Sequence, residues 1–149
     1  MRILGIDYGR RRIGLAVSDE AAFLARPLDP YLRTRSLQKD LEHLARVAHE
    51  FDAETIVIGL PLNMDATKGE MALEVEGFTA QLQELTSARI VVSDERLTSA
   101  EAERVLLEGN VKRKDRKLLR DGLAATLILQ GYLDSQRFPS EMTFDQHSD

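Results

Sequence analysis

The chain has 149 residues, 43% of them hydrophobic, which suits one domain with its own core. It contains no cysteine, so disulfide frameworks and thiolate metal sites are excluded. The net charge of −5 argues against nucleic acid on average, but the cations are clustered: Arg10, Arg11 and Arg12 are consecutive, and Lys112, Arg113, Lys114, Arg116, Lys117 and Arg120 crowd one stretch against a single acid, Asp115.

Two short runs rich in Ile, Leu and Val, RILGIDY at 2–8 and RIGLAVS at 12–18, read as strands joined by a turn at Gly9-Arg10-Arg11. A third strand is expected near Leu28–Leu32, where Pro27 and Pro30 restrict it to an edge. Ser36 is a candidate N-cap for a helix whose stripe is Leu37, Leu41, Leu44, Ala48 and Phe51. TIVIGL at 55–60 is a continuous apolar run, as expected of a strand buried on both faces. A capping box of Thr67 and Glu70 predicts a helix over about 68–86, with Met71, Val75, Phe78, Leu82 and Leu85 facing inward. RIVVSDE at 89–95 reads as another buried strand.

Thr98 and Glu101 suggest a further helix to about Glu108, stopped by Gly109-Asn110, and 111–117 reads as a basic loop. The last helix is expected from about Lys117 to Asp134, and the polar tail after Phe138 is expected to be disordered. Neither repeats nor an internal boundary are visible, so residues 1–138 form one domain and 139–149 a tail. The order β-β-β-α-β-α-β-α-α implies an α/β fold: a mixed five-stranded sheet with helices on its faces. No segment approaches the roughly 18–20 apolar residues of a membrane span. MRILGIDYG has an acid inside its apolar run and no cleavage site. The expectation is a soluble cytoplasmic protein with no membrane partner.

Three acids stand out by position. Asp7 ends an apolar strand, Glu95 ends the fifth strand, and Asp121 lies on the last helix. From Asp121, Ala124, Ala125, Ile128 and Tyr132 recur at helical offsets, so the acid is read onto the buried face, with the two small alanines allowing close approach to the sheet. A carboxylate in such surroundings costs free energy unless paired or ligated. Acids converging on the C-terminal edge of the strands fit the usual ligand site of open α/β sheets. Oxygen donors suit Mg²⁺ or Mn²⁺, which can support in-line phosphoryl displacement. Taken singly, each acid is as well explained as a cap or an ion-pair partner. Asp7, Glu95 and Asp121 are therefore the candidate catalytic and metal-binding residues.

The weaker candidates are substrate-binding: Arg10 and Arg11 in the first turn, Arg96 after Glu95, Lys112, Lys114 and Lys117 in the basic stretch, and Asn63 beyond the fourth strand. Thr98 is better explained as a cap. His43, His49 and His147 lie away from the acids, so no histidine-based hydrolase is indicated.

The blocks GIDYGRRRIGLAVSD at 5–19, VIGLPLNMDA at 57–66, DERLTSAEA at 94–102 and KLLRDGLAATLILQGYLD at 117–134 resemble, in order, those of the YqgF (RuvX) family. The resemblance runs from about residue 1 to 138 and implies a ribonuclease-H-like fold with helices on both faces of the sheet. It further implies a metal-dependent nuclease of structured nucleic acid, acting in pre-16S ribosomal RNA processing or in Holliday-junction resolution, as in DNA recombination and repair. The family's acids fall on Asp7, Glu95 and Asp121. Two positions depart from its usual pattern, Ala66 where Gly is common and Ser99 where Thr is common. Better-known junction resolvases take an acid from the fourth strand; here that strand, IVIGLP, has none, so Glu95 substitutes from the next. Partners would be precursor ribosomal RNA or branched DNA, bound by a monomer or a two-fold homodimer. A non-catalytic nucleic-acid-binding factor in ribosome assembly or transcription is the competing reading, and an actin-like or sugar-kinase-like nucleotide binder a third. The latter needs a second glycine-rich hairpin that the chain lacks.

Overall fold

A computed structural model describes residues 1–95 and 122–137. The strands are β1 (Arg2–Asp7), β2 (Arg12–Ser18), β3 (Ala25–Leu32), β4 (Ala53–Leu60) and β5 (Arg89–Asp94), and the helices α1 (Leu37–Glu50), α2 (Glu70–Gln83) and α3 (Leu123–Arg137). The five strands form one sheet in the order β3-β2-β1-β4-β5. The pairs β1–β2 and β2–β3 are antiparallel, whereas β1–β4 and β4–β5 are parallel. The mixed sheet expected from the element order is therefore present. The readings that fall on 96–121 and 138–149, namely the Thr98 helix, the basic loop, Asp121 and the tail, lie outside the described residues. No described helix is long and apolar enough to cross a membrane.

Strand periodicity gives the sheet two unlike faces. Leu4, Ile6, Ile13, Leu15, Ile56, Ile58 and Leu60 pack against Leu41, Leu44 and Ala48 of α1 and Val75, Phe78 and Leu82 of α2. The opposite face is built from small residues, with Ala16 and Val57 meeting Ala125, Ile128, Leu129 and Leu133 of α3. Here the chain is thin enough for close approach. A Cβ on Gly5 would stand 2.8 Å from the Leu129 Cβ and 3.1 Å from the Ala125 carbonyl oxygen. Glycine at this position lets the backbone of α3 lie nearly against the sheet.

Several sequence expectations change in detail. The Ser36 cap holds, since its hydroxyl accepts from the Lys39 N–H, but Leu37 is 39% exposed and the stripe runs through Asp40, Leu41, Leu44, Val47 and Ala48. The Thr67–Glu70 capping box is absent. Gly69 is the N-cap and offers no side-chain bond, because the Thr67 hydroxyl is engaged with Asp65 Oδ1 at 2.6 Å. In α2, Ala72 takes the inward place expected of Met71, and Leu85 lies beyond the helix, exposed. β5 is an edge strand among the described strands rather than a buried one, with Val92 41% exposed. In α3, Ala124 is exposed and Tyr132 half-buried. The inward line is Ala125, Ile128, Leu129 and Leu133, because adjacent residues are rotated about 100° and Ala124 and Ala125 cannot both face the sheet.

Candidate active site

Asp7 is the last residue of β1 and stands opposite Gly14 of β2. Gly5 and Asp7 share the strand face that packs on α3, as the two-residue period requires. A side chain at position 14 would begin 3.3 Å from the Asp7 Cβ and 3.6 Å from the Ala125 Cβ, so Gly14 leaves the carboxylate its space. On the other side, Leu60 pairs with Asp94, and Glu95 follows directly after β5. Glu95 folds back over β4, where a Cβ on Gly59 would lie 2.7 Å from both its Cγ and its Oε1. Gly14 on β2 and Gly59 on β4, the two strands flanking β1, thus clear one corner of the sheet, and two carboxyl groups occupy it.

Those two groups share a hydrogen bond. Burial raises the Asp7 carboxyl above its ordinary range, and the bond with Glu95 only partly offsets this. Glu95 is pushed up to about 7, first by burial, then by the negative charge of Asp7 and the hydrogen bond to it, and last by Asp94. One proton held between two acids is what metal-free carboxylates do when forced together. Asp121 lies outside the described residues; among those described, no three His, Cys, Asp or Glu side chains cluster as a metal centre. The donor set nonetheless fits a hard divalent cation. It consists of carboxylate oxygens, carries like charges that a cation would neutralise, and has glycine-cleared space around it.

The weaker candidates fall in different places. Arg10 and Arg11 lie in the turn just after Asp7 and Tyr8, both exposed. Arg10 is not idle: its Nη2 donates to Glu74 of α2 at 3.1 Å, and the same carboxylate accepts from the Tyr8 hydroxyl at 2.5 Å. Asn63 stands past the C-terminal end of β4, but its Nδ2 donates to the Thr67 hydroxyl at 3.0 Å, inside a tight 62–68 loop. Arg96, Lys112, Lys114 and Lys117 lie outside the described residues. His43 stacks on Tyr31, away from the acids, as expected. A concavity of about 750 Å³ lined by Arg46, His49, Asp52 and Glu54 sits by Met1 and Ala53, at the opposite, N-terminal end of the parallel strands, and takes no part in this site.

Sequence reasoning singled out the acids but missed what makes room for them. Gly14 and Gly59 carried a usable signal, since a glycine inside an apolar strand marks a close approach.

The fold has a solved counterpart. Over 94% of this chain and 97% of that one it superimposes on Thermus thermophilus RuvC in complex with a Holliday-junction substrate, with a TM-score of 0.67 and 17% identity. At that identity the likeness concerns architecture, and it places the chain in the ribonuclease-H-like class.

Sequence likeness narrows the class to a family. The chain belongs to the RuvX family, whose model is described as a Holliday junction resolvase and matches residues 1–135. Proteins provisionally named as pre-16S rRNA nucleases are similar along nearly their whole length. One from Syntrophomonas wolfei is 48% identical over 134 residues, 90% of this chain and 94% of its own. One from Halalkalibacterium halodurans is 46% identical over 138 residues, 92% and 99% respectively.

Proposed function

We propose that the chain is a metal-dependent nuclease that hydrolyses phosphodiester bonds in structured nucleic acid, with the 5′ region of precursor 16S ribosomal RNA as its first candidate substrate and branched DNA as the second. The observation that carries this reading is the half-buried Asp7–Glu95 carboxyl pair at the C-terminal edge of parallel strands. The ribosomal RNA arm draws support from relatives at 48% and 46% identity over almost the full chain. The branched-DNA arm draws support from the family description.

Asp7 and Glu95 would hold Mg²⁺ or Mn²⁺, with Asp121 as the third carboxylate. Such an ion would supply activation of a water and stabilisation of the leaving oxygen. The chain's own part is positioning. β1 and β5 fix the two carboxyls, Gly14 and Gly59 keep their surroundings open, and burial raises their proton affinity until a cation competes the proton away. Arg10 and Arg11, which follow Asp7 in the β1–β2 turn, would meet phosphate together with Arg96, Lys112, Lys114 and Lys117, the clustered cations of an otherwise acidic protein. Asn63, just past β4, would add a polar contact to substrate.

A cleavage panel tests the proposal: precursor 16S RNA, a four-way junction, plain duplex and single strands, each with Mg²⁺, Mn²⁺ or chelator. Metal-dependent cleavage of one structured substrate, lost in Asp7→Asn, is the expected result. Nucleic-acid binding with no cleavage under any metal would instead favour a non-catalytic assembly factor.

A further inference from the structure

Asp40, in the first turn of α1, is fully buried, yet burial does not leave it starved of partners. It accepts from the Tyr31 hydroxyl at 2.9 Å, Arg33 Nε at 2.9 Å, the Thr34 N–H at 2.9 Å and the Thr34 hydroxyl at 3.0 Å. Arg33, only 13% exposed in its side chain, lies over the Tyr8 ring at 5.1 Å and the Phe78 ring at 5.6 Å. Its Nη1 then donates to the Gly9 carbonyl at 3.1 Å, and its backbone N–H donates to the Arg11 carbonyl at 2.9 Å. One residue therefore holds both ends of the Gly9–Arg11 turn. Position 9 requires glycine, since any Cβ there would collide with the Arg12 carbonyl oxygen, so the order of this turn has to come from bonds such as those of Arg33.

A buried ion pair is poor evidence of a stability role, because well-packed apolar replacements often serve the fold as well or better. What a salt-bridged guanidinium supplies, and an apolar side chain cannot, is a fixed direction for its remaining donor. Here that donor grips the segment that follows Asp7 and carries Arg10 and Arg11.

The geometry points to Arg33 and Asp40 as positioning residues that set the Gly9–Arg11 turn, and with it the Arg10 and Arg11 cations, for contact with the nucleic-acid backbone. This rests on the nuclease reading of the adjacent site, and it adds two residues, one just past the end of β3 and one on α1, that touch neither metal nor substrate.

The test compares Arg33→Met/Asp40→Leu, which removes the pair as a unit, with Arg33→Lys, which keeps a charge near Asp40 but cannot also reach the Gly9 carbonyl. Four quantities are read in full-length protein: melting temperature, Mg²⁺ affinity by calorimetry, Kd for the cleaved substrate in Ca²⁺, and the slope of log Kd against log salt. The expected result in the double variant is an Mg²⁺ affinity close to wild type and a lowered melting temperature, because the Tyr31 hydroxyl and the Thr34 N–H and hydroxyl lose their acceptor. Its Kd should be raised about tenfold, the worth of one charge-assisted contact, and its salt slope reduced by about 1 to 2. Arg33→Lys should show the same loss in smaller measure, and it decides the matter if the double variant fails to fold. A folded variant with wild-type Kd and salt slope overturns the inference while leaving the nuclease reading intact. Wild-type protein that binds no nucleic acid overturns both.

Discussion

Replacing Gly59 by alanine puts one methyl group where the structure has no room, and the mobility of the neighbouring atoms decides the cost. The new Cβ would stand 2.6 Å from Ile128 Cδ1 and 2.7 Å from Glu95 Cγ and Oε1. All three belong to side chains that can rotate away, at about 0.5–1.5 kcal/mol for each one forced off its rotamer. Alanine returns about 0.4–1 kcal/mol by restricting the unfolded chain. The net cost is therefore roughly 0–2 kcal/mol, or a few degrees of melting temperature for a domain of this size. The site fares worse. Glu95 must swing off Asp7, so its carboxyl should fall from about 7 toward the ordinary glutamate range, and cleavage should drop by about 100-fold, as misplacement near 1 Å commonly causes. Gly5→Ala makes the contrast. Its Cβ meets a Cβ and a backbone carbonyl of α3, which cannot rotate away, so the helix must lift from the sheet at a cost of about 1–3 kcal/mol or more. Carboxyl-carbon NMR titration, thermal melts and cleavage rates on both variants check the reasoning. A Gly59→Ala protein in which Glu95 still titrates near 7 and cleavage is undiminished would refute it, and so would equal destabilisation by the two alanines.

Asp7→Asn should lower metal-dependent cleavage by orders of magnitude while the metal-free protein melts at or above the wild-type temperature, because a buried charge and its repulsion with Glu95 are both removed. For metal-free protein, stability should fall as pH rises from about 4.5 to 7. The raised carboxyls of Asp7 and Glu95 bind more protons folded than unfolded across that window, an effect of roughly 1–2 kcal/mol once discounted for partial exposure. Melts against pH should show this slope, and Mg²⁺ or Glu95→Gln should flatten it. Asp40→Ala should cost about 3–5 kcal/mol in denaturant unfolding, since it strands a largely buried guanidinium, whereas Lys68→Ala, breaking a half-exposed pair with Glu76, should cost about 1 kcal/mol or less. Ala66 sits at φ 69°, in the left-handed region, so Ala66→Gly should raise the melting temperature by about 1–3 °C, the relieved strain slightly outweighing the added freedom of the unfolded chain.

Where each segment's neighbours lie close in sequence, the fold was legible. Gly9-Arg10-Arg11 joins two apolar runs that do pair, Pro27 and Pro30 do mark an edge strand, and the Ser36 hydroxyl does cap α1. The failures share a cause. Thr67 and Glu70 have capping-box spacing, but Asp65 and Asn63 claim the threonine hydroxyl first, a competition between turn and helix that spacing cannot resolve. The run RIVVS looks like a central strand, yet apolar composition does not say on which side of a sheet a strand ends up. Asp7 and Glu95 were singled out because an acid ending an apolar strand is unusual, and the structure brings the two together. Arg33 and Asp40 were not singled out, although Asp40 lies three residues after Leu37 and four before Leu44, on the apolar stripe itself.

The buried Asp40 and the half-buried Asp7 show two different fates for a carboxyl taken from water. Burial alone would raise both. In Asp40 the backbone N–H of Thr34, the guanidinium of Arg33 and two hydroxyls outweigh it, and the carboxyl ends below its ordinary value. In Asp7 burial prevails, and the hydrogen-bond partner is another acid that is itself raised. A fold that can surround Asp40 with four donors has the means to neutralise a buried acid, so the state of Asp7 is not a failure of construction. It is the state expected of a site that the proposed divalent cation would neutralise. The glycines beside it fit that view: Gly14 and Gly59 keep open the positions from which side chains of the neighbouring strands would otherwise crowd the carboxyls. On the nuclease reading proposed above, the cost of holding two like-charged groups together would be recovered when a cation binds, and metal affinity would then be coupled to local stability at this corner of the sheet.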